Sequence, residues 1–200
     1  VLLVTSASAS EGKSTTASNL AITIAQADKR VLLADCDLRK PSVHHAFSIP
    51  NEKGLTNLLA EDLDFHEIVN YIGVPGLEVL TSGPKPPNPS ELLGTARMEA
   101  FIQKASAEYD QVILDATPVL PVTDAAVLSR LADGVILVLS YGVTPGELAA
   151  RAKESLEKVG ARILGAVINN TPQKGLGGYG YYYYYGEKGR TRRRPRLMEQ

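Results

Sequence analysis

Ser10-Glu11-Gly12-Lys13-Ser14-Thr15 stands directly after one apolar run and directly before a helical one. The turn matches the G-x-x-x-x-G-K-[ST] pattern, except that Ala7 takes the place of the first glycine. Small residues from Ala7 to Ser10 let backbone N–H groups curl around phosphate oxygens, and the positive end of the following helix adds to the attraction. Lys13 is expected to reach the β- and γ-phosphates of a nucleoside triphosphate, with the Ser14 hydroxyl on Mg²⁺. Ser10, Glu11, Gly12 and Thr15 complete the candidate nucleotide-binding turn.

Two apolar runs end in acids. Val31-Leu32-Leu33-Ala34 leads into Asp35-Cys36-Asp37-Leu38-Arg39-Lys40-Pro41, and Gln111-Val112-Ile113-Leu114 leads into Asp115. Ligands of open α/β sheets bind beyond the carboxyl ends of strands, where these charges fall. An acid there can hold Mg²⁺ directly or through water. With Asp115 near the metal, either Asp35 or Asp37 is free to take a proton from an attacking hydroxyl.

Acceptors for a transferred phosphoryl group are present on the same chain. Tyr179, Tyr181, Tyr182, Tyr183, Tyr184 and Tyr185 cluster among glycines. A donor site and a row of phenols together point to self-phosphorylation. Each phosphate would add about −1.5 to −2 charges, so a heavily modified segment should repel itself and the acidic pocket and leave its docking place. Arg190, Arg192, Arg193, Arg194 and Arg196 follow as a basic run that reads as solvated.

These groups need a frame. Val1 to Thr5, Val31 to Ala34, Leu77 to Leu80, Val112 to Leu114, Val135 to Leu139 and Ile163 to Ile168 read as apolar strands. Ala17, Leu20, Ala21 and Ile24 mark one face of a helix over Ser14 to Ala27. Asn88-Pro89-Ser90-Glu91 gives a helix start with Asn88 as cap. Thr144-Pro145-Gly146-Glu147 repeats that signal before a helix to about Lys158, which Gly160 ends. Strands alternating with helices predict an α/β fold, a mostly parallel sheet sandwiched by helices. Residues 1–172 read as one P-loop domain and residues 173–200 as a flexible tyrosine-rich tail.

Two hundred residues with 44% hydrophobic content suit one globular domain. Net charge is −1, with six Lys/Arg against two Glu from Gly186 to Gln200 and net −5 on the remainder. An acidic body argues against nucleic acid as a partner. One cysteine, Cys36, excludes an internal disulfide and reads as a small buried residue. The adjacent His44 and His45 are expected to point apart, and Tyr71, Tyr109 and Tyr141 to serve in packing.

Together the motifs resemble the bacterial tyrosine kinases, the cytoplasmic autokinases of capsule and exopolysaccharide export. The phosphate loop resembles that family's Walker A, Val31 to Pro41 its Asp-x-Asp-x-Arg motif, and Val112 to Asp115 its Walker B. Pro86 to Leu93, Val122-Thr123-Asp124-Ala125 and the tyrosine cluster are similar to further family segments. The resemblance implies a P-loop fold of the MinD/ParA type, with ATP and Mg²⁺. It implies Asp35 as base, Asp37 and Asp115 nearer the metal with Ser14, Arg39 in charge stabilisation, and Asn169 near the adenine. It also implies a membrane-bound polysaccharide co-polymerase or activator, a cognate tyrosine phosphatase, and a place at the inner face of the cell membrane.

The chain departs from the family pattern in two places. Asp115-Ala116-Thr117-Pro118 replaces the commoner Asp-Thr-Pro-Pro, a change expected to alter packing more than chemistry. The family's helical segment before the first strand assembles a homo-oligomeric ring, so the ring is expected of a complete protein and not of residues 1–200. The alternative is a MinD/ParA-like nucleotide-switch ATPase without kinase activity. Those proteins carry a second lysine early in the phosphate loop, where this chain has Ser8.

Overall fold

The computed structural model describes residues 1–61 and 63–172. The tyrosine cluster, the basic run and the tail beyond residue 172 lie outside the described residues.

The strands are β1 (Leu2–Ser6), β2 (Val31–Asp35), β3 (Asn70–Tyr71), β4 (Leu77–Leu80), β5 (Gln111–Asp115), β6 (Gly134–Ser140) and β7 (Ile163–Asn169). The helices are α1 (Lys13–Ala25), α2 (Val43–Phe47), α3 (Leu55–Ala60), α4 (Pro89–Leu93), α5 (Ala96–Glu108), α6 (Asp124–Ser129) and α7 (Gly146–Lys158). The strands form one sheet in the order β3-β4-β2-β5-β1-β6-β7, parallel throughout except for β3, which runs antiparallel to β4. Sequence periodicity misses β3 because two residues are too few to show a period.

Successive strand residues point to opposite faces, and the core divides accordingly. Val4, Leu33, Ile113 and Val138 pack under α1 with Ala17 and Ala21. Leu3, Leu32, Leu114 and Leu137 face the other layer with Met98, Phe101, Leu128 and Leu156. Leu20 and Ile24 of α1 are half-buried against the first cluster, while Ser18 and Ala25 join its buried stripe.

Helix ends show both agreement and correction. Gly160 adopts φ 77 after α7, and the Gly160 and Ala161 N–H groups close onto Glu157 and Leu156. Asn88 does cap α4, but its side-chain amide donates to Glu91 and not to the helix backbone. At α7 the capping residue is Pro145, not Thr144, because the Thr144 hydroxyl is committed elsewhere.

Three packing expectations need correction. Tyr109 is buried, but Tyr71 and Tyr141 are 77% and 55% exposed. His44 and His45 do not point apart: their rings meet with centroids 3.8 Å apart and planes tilted by 41°. Cys36 is fully buried, as expected, and burial first and Asp35 next push its thiol well above the usual range.

The strand order fixes where a ligand can sit. The chain leaves β1 towards β2 on one side and reaches β6 on the other, so β1 is the switch point of the sheet. Its carboxyl end continues into the phosphate loop. Register sets Asp35 opposite Asp115 across β2 and β5, and Asp115 opposite Val4 of β1. At the far edge, β7 exposes most of its length, including Leu164 and Ile168.

Leu33→Ala should lower the unfolding free energy by about 2–5 kcal/mol through cavity formation. Leu164→Ala, at an exposed position, should change it by less than about 1 kcal/mol. Urea denaturation of both variants checks the pair.

Candidate nucleotide site

The phosphate loop is built on left-handed backbone. Ser10 has φ 64 and Gly12 φ 89, and Gly12 caps α1. A Cβ at Gly12 would also lie 1.9 Å from Asn169 Nδ2, so both backbone angle and space demand glycine. Asn169, at the end of β7, donates to the Glu11 carbonyl at 3.2 Å. The structure thus places Asn169 against the phosphate loop.

Glu11 is 2% exposed and turns inward. One carboxylate oxygen accepts the Ser8 N–H at 2.8 Å and the other accepts the Thr144 hydroxyl. Its side chain braces the loop from behind. Ser10, Gly12, Lys13, Ser14 and Thr15 do line a cavity of about 310 Å³, together with Ala9, Lys40, Ser42 and Pro118.

Beside that cavity stands the charged centre. Lys13 Nζ lies 3.1 Å from Asp37 and 3.3 Å from Asp115, and donates to the Ser14 hydroxyl at 3.1 Å. Burial alone would lower its pKa, but Asp115 and Asp37 outweigh that and leave it raised. Asp115 has no exposed surface; burial raises its carboxyl pKa and Lys13 opposes the rise. One Asp115 oxygen, Oδ2, is buried without a hydrogen-bond partner.

Asp35 is also fully buried. Its Oδ1 accepts the Asp37 N–H at 3.1 Å, and its Oδ2 accepts those of Ser42 and Val43, each at 3.0 Å. Burial first and the Asp115 charge second push its pKa up to about 7, against the pull of those donors and Lys13. Asp37 Oδ1 in turn accepts the Lys40 N–H at 2.9 Å. The acids therefore shape the loop after β2 as well as charging it.

Arg39 is drawn into a different set of contacts. Its Nε and Nη2 reach Asp124 at 2.8 and 2.9 Å, and Nη2 reaches Ser90 at 3.0 Å. Asp124 is fully buried, so this fork pins the β2 loop to α4 and α6. Sequence reasoning passed over the parts played by Ser42, Ser90, Asp124 and Thr144. Ser42 Oγ bonds to Ser14 Oγ at 3.0 Å, an interaction with no local spacing signal. Pro41-Ser42 did carry a helix-start signal, since Ser42 precedes α2.

The donor set suits a hard divalent cation. Ser14 Oγ, Asp37 and the orphaned Asp115 Oδ2 are oxygen donors beside the cavity. Among the described residues no group of three His, Cys, Asp or Glu side chains forms a metal cage. Such a cation would share its coordination with phosphate oxygens and water.

An AAA-domain family model matches residues 7–144. Tyrosine-protein kinase YwqD of Bacillus subtilis is 48% identical over 181 residues, covering 90% of this chain and 76% of YwqD. The kinase domain of Escherichia coli tyrosine kinase ETK superposes with a TM-score of 0.84 at 37% identity, covering 91% of this chain and 71% of that domain. The chain belongs to the bacterial tyrosine-kinase family. It spans 25% of full-length Etk from Escherichia coli K12. MinD of Pyrococcus horikoshii, complexed with Mg-ADP, is similar at TM-score 0.71 and 19% identity, which shows the shared P-loop fold.

Nucleotide- and magnesium-free protein should lose stability as pH rises from about 4 to about 7. Folded Asp35 keeps its proton up to about 7, whereas the ordinary value is 3.8. Between those values the folded state binds more protons than the unfolded state, so rising pH favours unfolding. Urea melts across the range check the slope, which Asp35→Asn should flatten.

Proposed function

We propose that this protein is an ATP- and Mg²⁺-dependent tyrosine autokinase that modifies the cluster at Tyr179 and Tyr181 to Tyr185, on itself or on a neighbouring copy. The observation that carries the reading is Lys13 held between Asp37 and Asp115 beside the phosphate cavity. Kinase relatives at 48% and 37% identity support the same chemistry.

Lys13 and the backbone of residues 10–15 bind and orient the nucleotide phosphates. Ser14, Asp37 and Asp115 would hold Mg²⁺, which would neutralise phosphate charge. Asp35 takes the proton of the tyrosine hydroxyl, and its pKa of about 7 suits that task. Because Asp35 is buried and Ser42 and Val43 cap it, a phenol reaches it only when that turn moves. Arg39 contributes through its fork to Asp124, by holding the β2 loop in place. Asn169 borders the nucleotide from the end of β7.

We place this activity in capsular or exopolysaccharide synthesis, with a membrane-bound co-polymerase or activator as partner and a cognate phosphatase to reset the cluster. The site of action is then the cytoplasmic face of the cell membrane. No helix among the described residues is long and apolar enough to cross a bilayer. A homo-oligomeric ring is part of the same proposal.

Incubation with Mg²⁺-ATP followed by peptide mass spectrometry tests the reading. Phosphate should appear on Tyr179 and Tyr181 to Tyr185, and Lys13→Ala and Asp35→Asn should each abolish it. ATP hydrolysis without phosphotyrosine, in the presence of an activator domain, would replace the kinase with a nucleotide-switch ATPase.

A further inference from the structure

We infer that Lys40 is a second cation of the nucleotide site, directed at the terminal phosphate. The inference rests on the nucleotide-binding part of the proposed function and adds a residue to it. Lys40 follows Arg39 in the loop after β2 and lines the same cavity as Lys13, Ser14 and Thr15.

Charge balance at the site leads to Lys40. Three carboxylates, Asp35, Asp37 and Asp115, gather at the ends of β2 and β5. The Lys13 ammonium lies within 3.3 Å of two of them, so it shares its charge between these acids and an incoming anion. With one Mg²⁺ beside it the wall is close to neutral, so it offers a polyphosphate carrying several negative charges little net attraction. Arg39 does not add to that attraction, because its Nε and Nη2 are spent on the buried Asp124 and on Ser90. Among the described residues, Lys40 is the remaining basic side chain on the cavity lining.

The backbone of Lys40 is fixed for this task. Its N–H is held by Asp37 Oδ1 at 2.9 Å, so the residue that flanks the metal site also sets where the Lys40 stem begins. The side chain itself is exposed and has no ion pair among the described residues. Phosphate-loop backbone groups surround the inner phosphates. The β2 loop carrying Asp37 and Lys40 then serves the outermost one. Lys40 is thus a mobile point charge that closes onto the phosphate that leaves, and Arg39 is the rigid strut beside it.

Equilibrium titration of the wild-type chain, Lys40→Met and Lys40→Arg with Mg²⁺-ATP and Mg²⁺-ADP tests this. Lys40→Met should weaken ATP binding about tenfold and ADP binding less than about twofold, the loss of one charge-assisted contact. Lys40→Arg should recover most of the difference, and matching thermal melts would exclude misfolding as the cause. Equal losses for both nucleotides, or no loss, would overturn the assignment. ATP binding with the expected selectivity but no phosphotyrosine would sink the kinase reading and leave Lys40 in place. A wild-type chain that binds no nucleotide would overturn both.

Discussion

One ammonium group holds the site together. Lys13 sits between Asp37 and Asp115, two carboxylates from different strand ends that would otherwise repel each other in a nearly dry setting. The sheet supplies the setting, because the register of β2 and β5 brings Asp35 and Asp115 level. Burial then raises the pKa of both acids, and the cation limits the rise. Removing Lys13 leaves two buried carboxylates without their counterpart.

Around that centre the loops are braced through polar contacts as well as through apolar packing, with Ala7 and Leu38 in the core. Glu11 ties the phosphate loop to Thr144, and Asp35 ties the end of β2 to the start of α2. Arg39 ties the same loop to α4 and α6 through Asp124. Each brace contains a charged side chain, and those of Glu11 and Arg39 reach partners distant in sequence. The site is preorganised as a result, and its parts must move together.

Much of this was legible beforehand. Strands β1, β2, β4, β5, β6 and β7 are built on mainly apolar runs, and the phosphate loop and the two acid-tipped strands declare themselves by residue type. The short α2, α3 and α6 were not legible, since five or six residues cannot display a helical period. Glu11 read as a nucleotide contact because its neighbours are; only the three-dimensional course of the chain brings Thr144 behind it. Arg39 was named for its charge, but Asp124 lies 85 residues away, so sequence spacing could not show that the charge was already taken. Thr144 misled in the same way, a capping residue by type that is recruited by Glu11.

The contact between Asn169 and Gly12 gives the sheet edge a second meaning. Strand β7 pairs only with β6 among the described residues, and its apolar side chains stand largely in solvent. Yet its last residue rests on the turn that cradles phosphate, where space is too tight for even one added methyl group. The outer rim of the molecule and its nucleotide grip are therefore two ends of one stiff rod. Any load placed on that rim is passed, through seven residues of strand, to the phosphate loop itself.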